Sequence, residues 1–245
     1  MKPRTKKINK IKYKYLTFIP ARSGSKELKH KNLQKIKGKT LLELTINFIK
    51  KVNLKRNFIF VSTDSNKYSN LSKKHGAHCN FLRSKKNSRS SSIIDEAIFE
   101  FLNHKNFSNY DFETLILLLP TQPFRDSVDF KKGIKLIEKK SIESVISVKN
   151  LNRNDNYIFK MNSNKLLIKK NLKSTNRQFI NTNYTPCGCF YITKMVSFKK
   201  FKSIFNLKNK GVITNYPYNL DIDNIQDLNL ARLIMDNKRK FNLNV

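Results

Sequence analysis

Residues 13–19 read YKYLTFI, and residues 20–32, which follow directly, read PARSGSKELKHKN. The first run is typical of a buried strand, and the second is rich in small and polar residues that form turns. Small residues let backbone N–H groups face an anion, and three stand in succession: Ser23, Gly24 and Ser25. The basic side chains that could neutralise a polyphosphate are Arg22, Lys26 and Lys31. The glycine spacing fits neither a Walker A loop nor the dinucleotide fingerprint, so an ordinary basic turn stays an alternative.

The remainder of the chain alternates strand-like and helix-like segments. Further strands are predicted over residues 57–62, 78–82, 114–119, 143–148, 189–192 and 212–216. Helices are predicted from an N-cap at Thr40 through residue 49, and over residues 65–75, 92–103, 127–139 and 225–235, with Gly76 ending the second. This order predicts an α/β fold with a mostly parallel sheet and helices on both faces. Ligands of such sheets bind at the carboxyl ends of the strands, so the loops there are the candidate sites.

A basic tail over residues 1–12 and a single domain over residues 13–245 are predicted, because no repeat or linker divides the chain. Between about residues 149 and 187 the alternation fails, and the segment is polar and rich in Asn and Lys. A loop of this length is usually functional, so we expect a lid or an association arm. The longest aliphatic run, residues 115–119, is too short to span a membrane, and the first twelve residues contain no signal-peptide stretch.

The net charge bears on the kind of binding partner, and the number of cysteines bears on the cellular compartment. Fifty basic residues against 17 acidic ones give a net charge of +33, which taken alone suggests nucleic acid as a partner. The lysines are scattered among Asn and Ile, and no helix-turn-helix or RNA-binding aromatic signature accompanies them, so a solvated lysine-rich surface is the preferred interpretation. Three cysteines are too few for a disulfide framework, which favours a reduced, cytoplasmic protein.

The loops after the later strands hold further candidates. After the second strand, Asp64 or Ser65 is sufficiently explained as a helix cap. Arg83, Arg89 and several hydroxyls as far as Ser92 precede a helix N-terminus, an arrangement that favours phosphate or sugar hydroxyls. Residues 120–125, PTQPFR, contain two prolines, and a rigid loop at the end of a strand suits specificity.

Asp221 and Asp223 are notable in a sequence with few acids. In a turn, both carboxylates can reach one cation, and oxygen ligands with few protein contacts suit Mg²⁺ that is bound largely through nucleotide phosphates. A solvated turn with a helix cap is the alternative. Cys187 and Cys189 lack further metal-ligand partners at suitable spacing, so strand packing is their expected role.

Taken together, these segments resemble the CMP-sialic acid synthetases, or acylneuraminate cytidylyltransferases. The matching segments keep the order of the family between about residues 13 and 236: 19–26, 31–32, 61–64, 82–83, 120–125, 188–191 and 221–223. The resemblance implies a Rossmann-like nucleotidyltransferase sheet and a homodimer that exchanges the arm at about residues 149–187. It also implies transfer of CMP from CTP to the anomeric hydroxyl of a nine-carbon 2-keto-3-deoxy sugar acid with Mg²⁺, releasing pyrophosphate.

The resemblance also implies roles for individual residues. Those expected to bind CTP are Arg22, Ser25, Lys26, Lys31, Asn32, Arg83 and Ser92. Asp221 and Asp223 are expected to hold the metal, and together with Arg22, Lys26 and Lys31 to act in catalysis. Residues expected at the sugar acid are Thr121, Gln122, Arg125 and Gly188, with Arg177 of the arm reaching the site of the partner subunit.

Several residues depart from the family pattern, most of them where the sugar would bind. The departures are Glu27 for the usual Gly, Leu119 for Gln, Thr185 for Arg and Cys187 for Asn. A changed sugar is therefore expected. Phe124 and residues 188–191 indicate the pseudaminic acid branch. The alternatives are an eight-carbon keto-deoxy sugar acid as substrate, a non-catalytic homologue, or a basic nucleic-acid-binding protein.

Overall fold

Strands and helices alternate in the residues that the computed structural model describes, which are 10–25, 27–151, 159–161, 167–169, 183–205 and 209–243. The strands are β1 (Ile11–Pro20), β2 (Lys35–Ile36), β3 (Lys39–Thr40), β4 (Asn57–Ser62), β5 (Tyr110–Leu117), β6 (Ser144–Asn150), β7 (Phe159–Met161), β8 (Leu167–Lys169), β9 (Tyr184–Lys194) and β10 (Asn209–Ile213). The helices are α1 (Leu41–Val52), α2 (Asn66–Lys74), α3 (Ile94–Leu102), α4 (Ser127–Ile137), α5 (Met195–Phe201) and α6 (Ile225–Asp236).

A six-stranded sheet with the order β10-β6-β9-β5-β1-β4 forms the centre of the molecule. β1 runs parallel to both β4 and β5, and β10 runs parallel to β6, whereas β9 is antiparallel to its two neighbours. The predicted mostly parallel sheet is confirmed. Because β1, β4 and β5 are adjacent and parallel, the loops that follow them meet at one edge of the sheet.

The side chains of β1 alternate between two cores, one on each face of the sheet. Leu16 and Phe18 belong to the core that α3 and α5 cover, while Tyr15 and Ile19 belong to the core that α1 and α4 cover. A third cluster packs α6 against the start of α1 and includes Ile222. Helices on both faces, as predicted, therefore bury the sheet and leave its loop-bearing edge open.

The predicted helix boundaries at Thr40 and Gly76 are confirmed. Thr40 forms a capping box with Glu43, whose backbone N–H donates to the Thr40 hydroxyl at 3.1 Å. Gly76 follows the end of α2 with a φ of +84°, a conformation that glycine adopts without strain.

The predicted strand at residues 78–82 is wrong. This segment forms one isolated bridge, between His78 and Phe60. Its backbone pairing with β4 consists of two hydrogen bonds, one donated by the His78 N–H and one accepted by the His78 carbonyl. In the predicted arm, β7 and β8 form a two-stranded antiparallel sheet, and the function of the arm stays a prediction. Within the described ranges, no helix combines the length and the apolar composition that crossing a membrane requires.

Candidate active site

The turn after β1 is fixed by two side chains from other segments. The Ser23 backbone N–H donates to Asp64 Oδ1 at 2.7 Å, and the Ser23 hydroxyl donates to Asp64 Oδ2 at 3.0 Å. On the other side, Asn32 Nδ2 donates to the Arg22 carbonyl at 3.0 Å. Of the two predicted helix caps, Ser65 occupies the N-cap position of α2 without a side-chain hydrogen bond, whereas Asp64 instead shapes the turn.

An open cleft of about 270 Å³ lies between this turn, the loop after residue 82 and the loop after β5. Six residues with a predicted role in CTP binding line it: Arg22, Ser25, Lys31, Asn32, Arg83 and Ser92. Thr121 and Arg89 also line the cleft, and no carboxylate of the described residues is among its lining side chains. The lining is therefore strongly cationic and rich in hydroxyls, as a triphosphate site requires.

Arg83 is buried at the back of the cleft. Its Nε donates to the Ser62 hydroxyl at 2.9 Å and its Nη2 to the Ser62 carbonyl at 2.6 Å. Burial lowers the pKa of Arg83 to about 10, so the guanidinium keeps its charge at neutral pH. The end of β4 thus holds a fixed positive charge beside the turn that follows β1.

The acidic segment near the end of the chain meets the cationic turn near its beginning. Lys31 Nζ lies 3.0 Å from Asp223 Oδ1, and only 12% of the Lys31 side chain is exposed. The Ile222 backbone N–H donates to the Thr121 carbonyl at 2.9 Å, and the Ile222 side chain is fully buried. Two separate contacts therefore fix the Asp221–Asp223 segment against the cleft.

Asp221 is largely buried, and hydrogen bonding to the Thr121 side chain partly offsets the rise that burial causes in the pKa of its carboxyl. Burial raises the pKa of Asp221, and the nearby charge of Asp223 raises it further. In the described part of the chain, Asp221 Oδ1 is buried and has no hydrogen-bond partner. A nearby cation stabilises the charged form of a carboxylate that is buried and has an oxygen without a hydrogen-bond donor.

Known proteins resemble this chain in sequence and in fold. A family model described as cytidylyltransferase matches residues 16–238. The chain belongs to the cytidylyltransferase family. It is 31% identical over 234 residues to the N-acylneuraminate cytidylyltransferase of Escherichia coli O18:K1:H7, a match that covers 94% of this chain and 54% of that protein. It is 28% identical over 224 residues to the CMP-N,N'-diacetyllegionaminic acid synthase of Legionella pneumophila, covering 90% and 96% respectively.

The same comparisons confirm the predicted resemblance to acylneuraminate cytidylyltransferases and the predicted nucleotidyltransferase fold. A solved structure of CMP:2-keto-3-deoxy-manno-octonic acid synthetase complexed with CTP superposes with a TM-score of 0.65. The match covers 92% of this chain and 99% of that chain at 13% identity, so the likeness is one of fold. This cytidylyltransferase spans about half the length of the E. coli relative, at 54%.

The loop after β5 corrects the prediction that Gln122 and Arg125 contact substrate. Both side chains of this cytidylyltransferase point into the interior, with 0% and 2% of each residue exposed. Arg125 donates to the carbonyls of Leu119 and Cys189 and to the Thr45 hydroxyl. These bonds tie the loop to β9 and to α1, so Arg125 has a structural role that uses three of the five N–H donors of its guanidinium.

Gly188 also has a structural position. Its φ is +80°, and a side chain there would lie 3.1 Å from Gln122 Nε2. Glycine therefore lets β9 pack closely against the loop. Gly188 is buried, so it is not exposed for the predicted contact with substrate. Cys187 and Cys189 are buried with their Sγ atoms 3.5 Å apart, which agrees with the expected strand packing.

Lys26 and Arg177 lie outside the described residues, so their predicted roles stay predictions. Among the departures from the family pattern, Leu119 lines the cleft and Glu27 is exposed without lining it. Asp64 is the site residue whose role the sequence reasoning missed, whereas Arg89 was among its candidates in the loop before α3. The position of Asp64 directly after β4, beside the turn that follows the adjacent parallel strand, was the available signal.

Substitution of Asp64 by alanine is expected to raise the KM for CTP about tenfold with a smaller change in kcat. The Ser23 N–H and hydroxyl would lose their acceptors, and nucleotide binding would then have to order the turn. Steady-state kinetics of pyrophosphate release measures both constants. Asp111→Ala is the control, because Asp111 lies at the amino end of β5, at the opposite edge of the sheet. An unchanged KM in Asp64→Ala would contradict the structural role of this carboxylate.

Substitution of Arg125 by methionine is expected to lower the free energy of unfolding by about 3 kcal/mol, because two buried carbonyls lose their donor. Urea denaturation followed by circular dichroism gives this quantity. Arg56→Met removes an exposed arginine that pairs with Glu113 at 2.8 Å, and about 0.5 kcal/mol is expected there. Equal stability losses in the two variants would rule out a special structural contribution of Arg125.

Proposed function

We propose that the protein transfers CMP from CTP to the anomeric hydroxyl of a nine-carbon 2-keto-3-deoxy sugar acid and releases pyrophosphate. The observation that carries this proposal is the contact between Lys31 and Asp223, which joins the cationic turn and the acidic pair at one cleft. Family membership supports the choice of a cytidine nucleotide, and the two named relatives support a sugar acid of the sialic or legionaminic type.

The cations of the cleft would bind the triphosphate and stabilise the charge that develops during transfer. When the sugar hydroxyl attacks the α-phosphorus, negative charge grows on the pyrophosphate that leaves. Arg22 and Lys31 line the cleft at the turn, and Arg83 adds a charge that is held by Ser62. The Arg83 guanidinium is already held in place, and a charge that does not have to reorganise lowers the barrier most effectively. Lys26 is proposed to contribute in the same way.

Asp221 and Asp223 would hold Mg²⁺. The donor set fits, since both are carboxylates and Asp221 Oδ1 lacks a partner in the described part of the chain. The described part of the chain contains no cluster of three or more Asp, Glu, His or Cys side chains that could bind a metal. Two carboxylates suit an ion that also binds phosphate oxygens and water. When bound, the ion would polarise the α-phosphate and acidify the attacking hydroxyl. Lys31, released from Asp223, would then be available to a phosphate.

The sugar acid would bind next to Thr121 and Leu119, which line the cleft on the side of the acidic pair. The residues that indicated the pseudaminic acid branch do not bear on this choice directly, because Phe124 and Phe190 are both at most 1% exposed and pack in the cores. We therefore propose the nonulosonic acid class and leave sialic, legionaminic and pseudaminic acids as the candidates that the assay separates.

The oligomeric state and the cellular compartment also belong to the proposed function. We propose a homodimer in which the arm at about residues 149–187 carries Arg177 to the site of the partner subunit, as the family resemblance implies. A cytoplasmic enzyme that supplies activated sugars for surface polysaccharide is consistent with these substrates. Nucleic acid is not the proposed partner, since Arg22, Lys31, Arg83 and Arg89 are grouped around one cleft of about 270 Å³.

One assay tests the proposed function. Pyrophosphate release is followed with CTP, Mg²⁺ and each of sialic, legionaminic, pseudaminic and eight-carbon keto-deoxy acids, with ATP, GTP and UTP in place of CTP as controls. We expect release with CTP and one of the nine-carbon acids. Release with the eight-carbon acid alone would replace the proposed sugar, and no release with any acid would refute the proposed enzyme.

A further inference from the structure

A second cavity, of about 520 Å³, lies against one face of α1. Its walls come from α1, the β2–β3 turn, the start of α4 and the end of α6, and the two cavities share no lining residue. Leu44, Phe48, Val52, Ile36 and Met235 make most of the wall apolar. The volume falls in the range of cavities that enclose small organic molecules.

The charged residues around this cavity are all positive among the described residues. Lys39, Lys51 and Lys131 stand around the apolar wall, and a fourth lysine, Lys37, is 3.5 Å from Asp236. No carboxylate of the described part of the chain lines the cavity. An apolar interior with lysines of one sign around it complements a molecule that has an apolar body and an anionic group.

Arg125 adds a charge at the inner wall of the same cavity. It is buried, its hydrogen-bond acceptors are uncharged, and its guanidinium lies 5.8 Å from the centre of the Phe48 ring. The carboxylate that acts on it, Asp221, is not among its hydrogen-bond acceptors, so a ligand anion in the cavity would add stabilisation to this buried cation. Ser127, the first residue of α4, also lines the cavity and offers a hydroxyl.

We propose that this cavity is a second ligand site, distinct from the nucleotide cleft, that binds an organic anion with an apolar body. The ligand would place its apolar part against Phe48 and Val52 and its anionic group toward Lys51, Lys131 and Arg125. Because Arg125 also holds the carbonyl of Leu119, which lines the nucleotide cleft, the occupied site would touch the same loop as CTP from its other end.

Two probes test this site on the full chain: the fluorescent arylsulfonate 8-anilinonaphthalene-1-sulfonate, and octanoate as its competitor. We expect saturable binding at one site, displacement by octanoate and not by octanol, and no displacement by saturating CTP. Displacement by CTP would assign the probe to the nucleotide cleft and overturn the proposal, as would displacement by octanol as effective as that by octanoate.

Variants of the cavity provide the second part of the test. Lys51→Glu combined with Lys131→Glu is expected to weaken probe binding about tenfold, since repulsion replaces attraction. Asn47→Trp, on the half-buried face of α1 that lines the cavity, fills the space and is expected to weaken binding at least as much. Lys67→Glu combined with Lys74→Glu on α2 is the control with the same change of net charge. Equal affinity in all variants would overturn the proposal.

Discussion

Replacement of Asp221 by asparagine is expected to lower the rate of CTP-dependent pyrophosphate release by about 100-fold or more. The amide keeps the size of the side chain and can still accept a hydrogen bond from Thr121, but it is a poor ligand for Mg²⁺. Activity is measured with saturating CTP and a range of Mg²⁺ concentrations. An activity close to that of the unchanged protein would remove Asp221 from the proposed metal site.

The stability of Asp221→Asn separates a loss of function from a loss of fold. Burial raises the pKa of Asp221 above its unfolded value, so between these two values the folded protein binds more protons than the unfolded one. The stability contribution of this group is full below the unfolded pKa and is lost as pH rises through the folded pKa. At neutral pH the charged carboxylate therefore destabilises the fold, and the variant is expected to unfold at an equal or higher urea concentration.

Glu113→Gln is the control for the replacement of a carboxylate by an amide elsewhere in the chain. Glu113 is 58% exposed and forms an ion pair with Arg56 at 2.8 Å. Its position in β5 is remote from the carboxyl end of that strand. We expect normal activity, and a loss as large as that of Asp221→Asn would indicate a general response to removing acidic residues.

Replacement of Lys31 by alanine is expected to lower kcat/KM for CTP by about 100-fold, because the cleft loses a charge that interacts with the phosphates in the transition state. Only 12% of the Lys31 side chain is exposed, so its ammonium group is held in a fixed position. We do not expect a mobile lysine of the surface to take over this position in the variant. Steady-state kinetics with varied CTP gives kcat and KM separately. Lys31→Arg, which keeps the charge, is expected to recover part of the loss.

Lys14→Ala controls for the removal of a lysine from an ion pair. Lys14 lies 2.7 Å from Glu138 and is 40% exposed, at the amino half of β1. We expect its kinetics to remain unchanged. If Lys31→Ala retained full kcat/KM and lost only thermal stability, Lys31 would be a structural partner of Asp223 and not a phosphate ligand.

Local sequence pattern was sufficient for the central part of the fold and for the cationic turn that follows β1. The strand-to-turn transition at Pro20 and the small residues after it follow from short-range preferences, and the cap at Thr40 has its own signature. These features depend on residues that are close in sequence. Lys31 and Asp223 are 192 positions apart, and only the family resemblance, which implied that both act at one nucleotide and metal site, brought them together before the structure did.

The incorrect predictions share one physical cause, which is dependence on a distant strand. Arg125 looked like an exposed residue of a proline-containing loop, but the Cys189 carbonyl, 64 positions later, accepts its Nε–H. β9 enters the sheet antiparallel between β5 and β6, and no local pattern indicates this insertion. Asp64 likewise took its role from the pairing of β1 with β4, which sets it beside Ser23.

The most direct test of the shared cleft is an anomalous diffraction measurement on crystals soaked with CTP and Mn²⁺, without a sugar acid. Mn²⁺ replaces Mg²⁺ at oxygen ligands and can be located by its own signal. We predict one peak at the carboxylates of Asp221 and Asp223, bridged to the phosphates of a CTP whose triphosphate contacts Arg22 and Lys31. A nucleotide bound elsewhere, or a peak remote from both carboxylates with the triphosphate in the cleft, would contradict this account.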